Sequence, residues 1–212
     1  MALALFDLRI IAMSDFIYLA SQSPRRAQLL EQLGLSFKRL LPDPAEDAEA
    51  LEVVHGAEAP ATYVTRVTRL KLQAAVARMQ RQGLPAAPVL CSDTTVALGR
   101  CILGKPENDA DAIRMLTLLS GATHRVLTAV AVQSGKKTFE ALSISNVTFA
   151  ELTRSQIKTY VASGEPMGKA GAYAVQGRAA VHITRINGSY SGIMGLPLHE
   201  TSLLLRAVGV KI

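Results

Sequence analysis

Two adjacent arginines at the start of a predicted helix are the first sign of chemistry in this sequence. The apolar run 16–20 is rich in residues that favour β-strands, and it predicts a short buried strand. Ser23 then suits a helix N-cap, and Pro24 suits the first helical position. Arg25 and Arg26 follow in the first turn, where the helix macrodipole makes each cation unfavourable by about 0.3–1 kcal/mol.

A bound anion would reverse that unfavourable interaction. Free N–H groups at a helix N-terminus, the hydroxyls of Ser21 and Ser23, and two guanidinium groups form a suitable environment for a phosphate. The alternative is a pair of solvated surface arginines with no ligand.

Asp93 is the second candidate for chemistry. It interrupts an apolar and β-branched run, in which 89–91 and 94–98 favour strands. An aspartate is costly to bury without a partner. Asp93 therefore requires a metal, a lysine or a backbone cap, unless it lies in an exposed turn.

Further candidates lie on both sides of Asp93. The polar loop 42–60 is acidic and offers Glu46 as a metal ligand, with Asp43 or Asp47 as alternatives, although most acidic loops are simply solvated. Lys71 borders the apolar stripe of a predicted helix, where most lysines extend along the surface. Lys105 ends a G-x-x-x-x-G-K segment, but proline follows where a P-loop needs Ser or Thr. We therefore reject a P-loop and keep Lys105 as a phosphate ligand.

The elements that must position these residues alternate between strands and helices. This order, with a predicted hairpin around 134–135, indicates an α/β fold with a mixed sheet. The predicted strands are 16–20, 36–41, 89–98 with its interruption, 101–103, 123–133, 138–150 and 179–186. The predicted helices are 24–33, 61–82, 109–120, 153–163 and 198–208.

Composition narrows the class of protein. A chain of 212 residues with 49% hydrophobic and 19% charged residues is typical of one globular domain. The net charge of +6 favours polyanionic partners. Aromatic residues make up only 5% and Trp is absent, which argues against a nucleic-acid binder that stacks bases.

The sequence shows neither a membrane span nor a signal peptide, and this predicts the cellular compartment. No apolar run approaches the length of a membrane span, and residues 1–12 carry Asp7 and Arg9 without the pattern of a signal peptide. We therefore interpret 1–12 as a leader that precedes an alternative start at Met13. Two cysteines outside any CxxC pattern fit reduced thiols in the cytoplasm, and four scattered histidines argue against a zinc site.

A resemblance to a known family adds to these predictions. The segment Leu-Ala-Ser-Gln-Ser-Pro-Arg-Arg-Ala-Gln-Leu-Leu, residues 19–30, resembles the opening signature of the Maf-like family of nucleoside triphosphate pyrophosphatases, also described as septum-formation inhibitors. Later segments resemble further family motifs in the same order, and they extend the resemblance to nearly the whole chain after Met13. They are 92–94, 104–106, 120–124, 164–166, 169–173, 176–177, 187–190 and 195–198.

The resemblance implies a fold and a reaction. The fold would be α/β, with a two-lobed mixed sheet flanked by helices and a deep central cleft, of the kind shared by Maf and inosine triphosphatase-like proteins. Residues 13–212 would form a single domain, commonly a homodimer. The reaction would be hydrolysis of a nucleoside triphosphate to the monophosphate and pyrophosphate with a divalent cation, Mg²⁺ or Mn²⁺.

The resemblance also implies roles for individual residues. Asp93 would be the catalytic base and, with Glu46, a metal ligand. The substrate would be bound by Ser21, Arg25, Arg26, Lys71, Thr94, Lys105 and Gln176. One departure is Gly168, which stands where the family usually has an aspartate.

The choice of base follows from a subgroup of the family. Arg25, Thr94 and Gln176 resemble the members that act on dTTP and UTP, whereas members that act on 7-methyl-GTP carry a glutamate at the last of these positions. An amide both donates and accepts, as the N3–H and carbonyl groups of uracil and thymine require. The alternatives are a 7-methyl-GTP pyrophosphatase and a non-catalytic regulator of cell division that binds nucleic acid.

Overall fold

The computed structural model describes residues 16–43, 46–47 and 50–212. The predicted leader 1–12 and the alternative start at Met13 lie outside these residues. The described residues form the strands β1 (Ile17–Leu19), β2 (Phe37–Arg39), β3 (Val89–Leu98), β4 (Cys101–Leu103), β5 (Thr123–Ser134), β6 (Lys137–Phe149) and β7 (Ile183–Asn187). The α-helices are α1 (Pro24–Glu31), α2 (Pro60–Arg81), α3 (Asp109–Leu119), α4 (Arg154–Val161), α5 (Tyr190–Met194) and α6 (Leu198–Ala207).

The described strands form one mixed sheet. Their order is β2-β1-β3-β5-β6-β7, and β4 pairs with β3 outside this path. β1 runs parallel to β2 and β3, whereas the pairs β3–β4, β3–β5, β5–β6 and β6–β7 are antiparallel. Helices flank this sheet, which confirms the predicted α/β class.

The sheet divides beside β3. One edge of this strand pairs with β5 from Val89 to Ala97. The other edge pairs with β1 at residues 89–90 and with β4 at residues 96–98. In the described part of the chain, residues 91–95 therefore have a neighbouring strand on one side only, and Asp93 lies at the middle of this gap.

Two apolar clusters lie on either side of the gap. The first, under α1 and α6, contains Leu90, while the second, under α3 and α4, contains Val96. On the same face, the residues between them are polar: Ser92 and Thr94 of β3, and Thr128 of β5. Two apolar cores separated by a polar belt confirm the predicted two-lobed arrangement with a central cleft.

Helix α2 covers the opposite face of the sheet. Val64 and Val67 pack there against Leu127 and Ala129 of β5, and all four residues are buried. Since side chains alternate along a strand, Asp93 shares this face with Cys91 and Thr95 and points toward α2. The long helix thus brings Lys71 to the position of the gap.

The predicted elements differ from the observed ones in three places. β3 continues through Asp93 without interruption. Residues 179–186 were predicted as one strand, but a 3-10 helix occupies Arg178–His182 and the strand begins at Ile183. Helix α5, which has Ser189 as its N-cap and left-handed Gly195 after it, was not predicted because five residues are too few for a helical pattern.

Candidate active site

A cavity of about 860 Å³ opens at the gap in the sheet. The residues predicted to act in catalysis or binding all line it: Ser21, Arg25, Arg26, Glu46, Lys71, Asp93, Thr94, Lys105 and Gln176. The structure therefore brings side chains from α1, α2, β3 and four loops into one space.

The centre of the cavity is an ammonium group between two carboxylates. Lys71 Nζ donates to Asp93 Oδ1 at 2.5 Å and to Glu52 Oε1 at 2.7 Å. Lys105 Nζ also lies 3.0 Å from Glu52 Oε2. Asp93 is buried, with 8% of its surface exposed, so the strand tolerates an aspartate because a lysine compensates its charge.

These neighbours favour the charged forms of Lys71 and Glu52. Burial would lower the pKa of Lys71, but the carboxylates of Asp93 and Glu52 outweigh it and hold that pKa above its ordinary value. Burial would raise the pKa of Glu52, but Lys71 and Lys105 hold it below its ordinary value. Cations and carboxylates therefore alternate across the cavity floor at neutral pH.

Arg26 is fixed against the polar belt of the sheet. Its Nε donates to the Gly195 carbonyl at 2.8 Å, while Nη1 and Nη2 donate to Ser21 Oγ and Thr94 Oγ1, each at 3.3 Å. Thr94 Oγ1 in turn lies 3.0 Å from Thr128 Oγ1. Three of the predicted binding residues thus form one hydrogen-bonded group at the start of α1.

Arg25 is the cation with spare hydrogen-bonding capacity. It is half-buried, lines the cavity and forms no hydrogen bond or ion pair with the described part of the chain. Burial and the neighbouring Arg26 lower its pKa, while Glu165 opposes the shift. Both arginines are partly buried, and an anion in the cavity would provide Arg25 with the missing partner.

Glu46 lies on another part of the cavity wall. Its carboxylate accepts hydrogen bonds from Arg78, which is buried, and from Arg81. These bonds, chiefly that from Arg78, lower its pKa from 4.5 to about 2. The carboxylate that shares Lys71 with Asp93 is therefore Glu52, and Glu46 is held by a different pair of cations.

Sequence reasoning did not select Glu52. This residue ends a 3-10 helix, Ala50–Glu52, inside the acidic loop. Six acidic residues are spread through positions 42–60, and their spacing does not distinguish the one that reaches Lys71. The sequence indicated only that a buried Asp93 needs a partner such as a metal, a lysine or a backbone cap. In the structure Lys71 is that partner.

The loop 164–177 contributes a further part of the cavity wall. Gln176 and Lys169 both line the cavity there, and Lys169 was not among the predicted site residues. The Lys169 ammonium donates to the backbone carbonyls of Glu165 and Met167. Gly168 lies in the left-handed region at φ +71°, with open space where a side chain would begin.

The carboxylate oxygens of the cavity suit a small divalent cation. The described residues contain no group of three or more His, Cys, Asp or Glu side chains that would hold a metal by themselves. Mg²⁺, however, is commonly bound by one or two carboxylates together with substrate phosphates and waters. Asp93 and Glu52, on either side of one ammonium group, meet that requirement.

None of the helices that the structure describes is both long enough and apolar enough to cross a bilayer.

Sequence comparisons find known proteins that are similar to nearly the whole of this chain. A family model described as Maf-like protein matches residues 16–208. A dTTP/UTP pyrophosphatase from Polaromonas sp. is 73% identical over 94% of this chain and 98% of that protein. A dTTP/UTP pyrophosphatase from Albidiferax ferrireducens is 65% identical over 94% of this chain and 100% of that protein.

Among solved structures, a nucleoside-triphosphatase / dITP/XTP pyrophosphatase from Mycobacterium abscessus covers 64% of this chain and 75% of that chain. At 13% identity and a TM-score of 0.37, this likeness is too weak to support a conclusion about the fold or the function.

Proposed function

Because the chain belongs to the Maf-like protein family, we propose that it is an enzyme that hydrolyses nucleoside triphosphates, preferentially dTTP and UTP, to the monophosphate and pyrophosphate. One observation carries the proposal. Two carboxylates paired with Lys71 share a cavity with a half-buried arginine that has no partner among the described residues.

Asp93 is proposed as the general base. Its Oδ1 accepts a hydrogen bond from Lys71, which fixes the carboxylate in the cavity, where it could accept a proton from water. Water that loses this proton attacks the α-phosphorus, and the bond to the β-phosphate oxygen breaks. Pyrophosphate is the leaving group and carries the charge that develops in the transition state.

The cations would stabilise that charge. Arg25 and Arg26 lie at the N-terminus of α1, where N–H groups and the helix dipole favour phosphate. Lys105 Nζ lies 3.0 Å from Glu52 Oε2, and Ser21 orients Arg26. Electrostatic stabilisation of this kind is usually the largest contribution to catalysis of phosphoryl transfer.

A divalent cation, Mg²⁺ or Mn²⁺, is proposed as the cofactor. Asp93 and Glu52 would hold it, in place of the pair of Asp93 and Glu46 expected from the sequence. When bound, it would neutralise phosphate charge and acidify a water molecule. Glu46 would instead fix the loop to α2 through Arg78.

The base is proposed to be read by Gln176. Its amide can accept from the N3–H of thymine or uracil and donate to a neighbouring carbonyl, whereas guanine presents two adjacent donors. A mismatch leaves buried polar groups unpaired and can reduce turnover by orders of magnitude. The names of the two relatives support this choice of substrate.

We further propose a homodimer located in the cytoplasm. Leu142 and Ile144 are exposed apolar side chains on neighbouring positions of one face of β6, which suits contact with a second copy. Cys91 and Cys101 are both free thiols, as a reducing compartment requires.

Ion-exchange analysis of the products tests the reaction. We expect dTTP and UTP to yield monophosphate and pyrophosphate in the presence of Mg²⁺ or Mn²⁺, at higher kcat/KM than GTP or 7-methyl-GTP. Asp93→Asn keeps the shape of the side chain but removes the base, so it should reduce turnover by about a hundredfold or more. A nucleoside diphosphate as the main product would refute the proposal.

A further inference from the structure

The turn that carries Gln176 is held by hydrogen bonds on both sides. The Tyr160 hydroxyl donates to Glu165 Oε1 at 2.8 Å and accepts from the Ala174 backbone N–H at 3.4 Å. Glu165 Oε2 accepts from the Arg178 backbone N–H at 3.0 Å. One tyrosine and one glutamate thus connect the residues two positions before and two positions after Gln176.

These two side chains are themselves well supported. Tyr160 belongs to α4 and is buried in the apolar cluster under α3 and α4. Burial would raise the pKa of Glu165, but the N–H group of Arg178 and the Tyr160 hydroxyl hold it below its ordinary value. The hydrogen-bond acceptor is therefore a carboxylate, which accepts from both partners at neutral pH.

Gly177 shows how closely the carboxylate sits on the turn. A Cβ atom at this position would lie 2.3 Å from Glu165 Oε1. The backbone of Gly177 has φ −101°, which other residues adopt, so space and not conformation requires glycine here. A methyl group at this position would displace the Glu165 carboxylate.

Gln176 depends on this support for its position. Its side chain is exposed on the cavity wall and forms no hydrogen bond with the described residues. Its location on the wall is therefore set by its backbone, which is held at Ala174 and at Arg178. A group that reads a base must be held to within a fraction of an ångström to discriminate.

We infer that Tyr160 and Glu165 are positioning residues that set the base preference of the cavity by fixing the turn that carries Gln176. This inference rests on the proposed function, in which Gln176 contacts the base. Neither residue lines the cavity, so neither contacts the substrate directly.

The test compares two variants that disturb the support without changing Gln176. Tyr160→Phe removes only the hydroxyl, and Gly177→Ala displaces the carboxylate. Tyr18→Phe is the matched control, because Tyr18 is also buried and its hydroxyl also forms a hydrogen bond, which it donates to the Pro85 backbone carbonyl far from Gln176 in the chain. Dissociation constants for dTTP and GTP are measured without divalent cation, and kcat/KM for both is measured with it.

We expect both variants to lower the affinity ratio of dTTP over GTP by about tenfold, while Tyr18→Phe leaves it unchanged. In a Gln176→Ala background the same two changes should have no further effect on the ratio, because they act through that side chain. Thermal unfolding of each variant identifies a general loss of structure, which would lower binding of both nucleotides equally.

The outcomes separate the two proposals. Three results would each overturn the inference. The first is an unchanged dTTP-to-GTP affinity ratio in folded Tyr160→Phe and Gly177→Ala. The others are an equally large change of that ratio in the Gln176→Ala background, and a wild type that binds dTTP and GTP equally. If the wild type prefers dTTP in binding but releases no pyrophosphate, the proposed function fails, and the affinity ratios still decide the role of Tyr160 and Glu165.

Discussion

Lys71 determines which carboxylates share the centre of the cavity. Its ammonium group contacts Asp93 and Glu52, while Glu46 is bound by Arg78 two helical turns further along α2. Because a cation site needs carboxylates next to one another, we propose Glu52 in place of Glu46 as the second metal ligand.

The first prediction tests that preference with a matched pair of substitutions. Glu52→Gln should raise the Mg²⁺ concentration for half-maximal dTTP turnover by about tenfold or more, since an amide is a weaker ligand than a carboxylate. Glu46→Gln should raise it much less. Titration of Mg²⁺ at saturating dTTP measures both, and a larger effect of Glu46→Gln would restore the assignment expected from the sequence.

The second prediction concerns a buried histidine. His124 is 1% exposed, its Nε2 lies 2.8 Å from the Tyr173 hydroxyl, and its Nδ1 has no partner in the described part of the chain. Burial lowers its pKa from 6.5 to about 4. The folded state therefore holds a neutral imidazole, and protonation favours unfolding.

The sign of the pH dependence follows directly. Between about pH 6.5 and 4 the unfolded chain binds a proton that the folded protein does not, so the free energy of unfolding falls as the pH falls, by up to about 3 kcal/mol. Urea unfolding at several pH values should show this loss in the wild type and a smaller one in His124→Gln. Equal slopes in the two proteins would mean that other groups cause the acid sensitivity.

At the scale of the elements, the loop 164–177 must pack tightly on β3 to close the cavity. Gly171 lies in the left-handed region at φ +69°, and a Cβ atom there would come within 2.9 Å of Val96. Gly168 has nearly the same backbone conformation, φ +71°, but open space around it. Substitution of Gly168 therefore measures the free-energy cost of the backbone conformation alone. Substitution of Gly171 adds the cost of the steric contact with Val96.

The third prediction uses this pair. Gly168→Ala should cost about 1 kcal/mol, from backbone conformation alone. Gly171→Ala should cost about 1–3 kcal/mol more, because β3 or the loop must move to admit the methyl group. Denaturant unfolding measures both values. Equal costs would show that the loop shifts freely and does not pack on the strand as described.

At the scale of the whole molecule, the described cores are built from residues that follow position 16. The apolar clusters of both lobes, and the covering helix α2, lie within the 16–208 range matched by the family model. Nothing in residues 1–12 supplies a cap or a motif of the proposed site.

The fourth prediction is that a chain starting at Met13 folds and functions like the full chain. Thermal unfolding and dTTP turnover of the two chains should coincide, because the shorter chain retains both cores and every residue of the proposed site. A shorter chain that melts at a clearly lower temperature, or that is insoluble, would show that the leader packs on the molecule.

The sequence by itself determined the local features of this protein. The sequence predicted the start of α1 at Ser23 and Pro24, the start of α3 at Asp109 and the long helix α2, and the structure confirms them. These features depend on interactions within a few residues, such as a side-chain cap or an apolar stripe, which the order of residues specifies. The need of Asp93 for a partner followed equally from the cost of burying a charge.

Only the tertiary structure decided which residues meet. Glu52, Lys71 and Asp93 are separated by 19 and 22 positions in the sequence. The loop 42–60 holds six acidic residues, and among those that the structure describes only Glu52 contacts Lys71. The same holds for 178–182, which form a 3-10 helix where the pattern predicted a strand. The Arg178 N–H at its start donates to the carboxylate of Glu165, 13 positions earlier. Contacts between elements depend on how the chain packs in space, and the order of residues does not by itself reveal that packing.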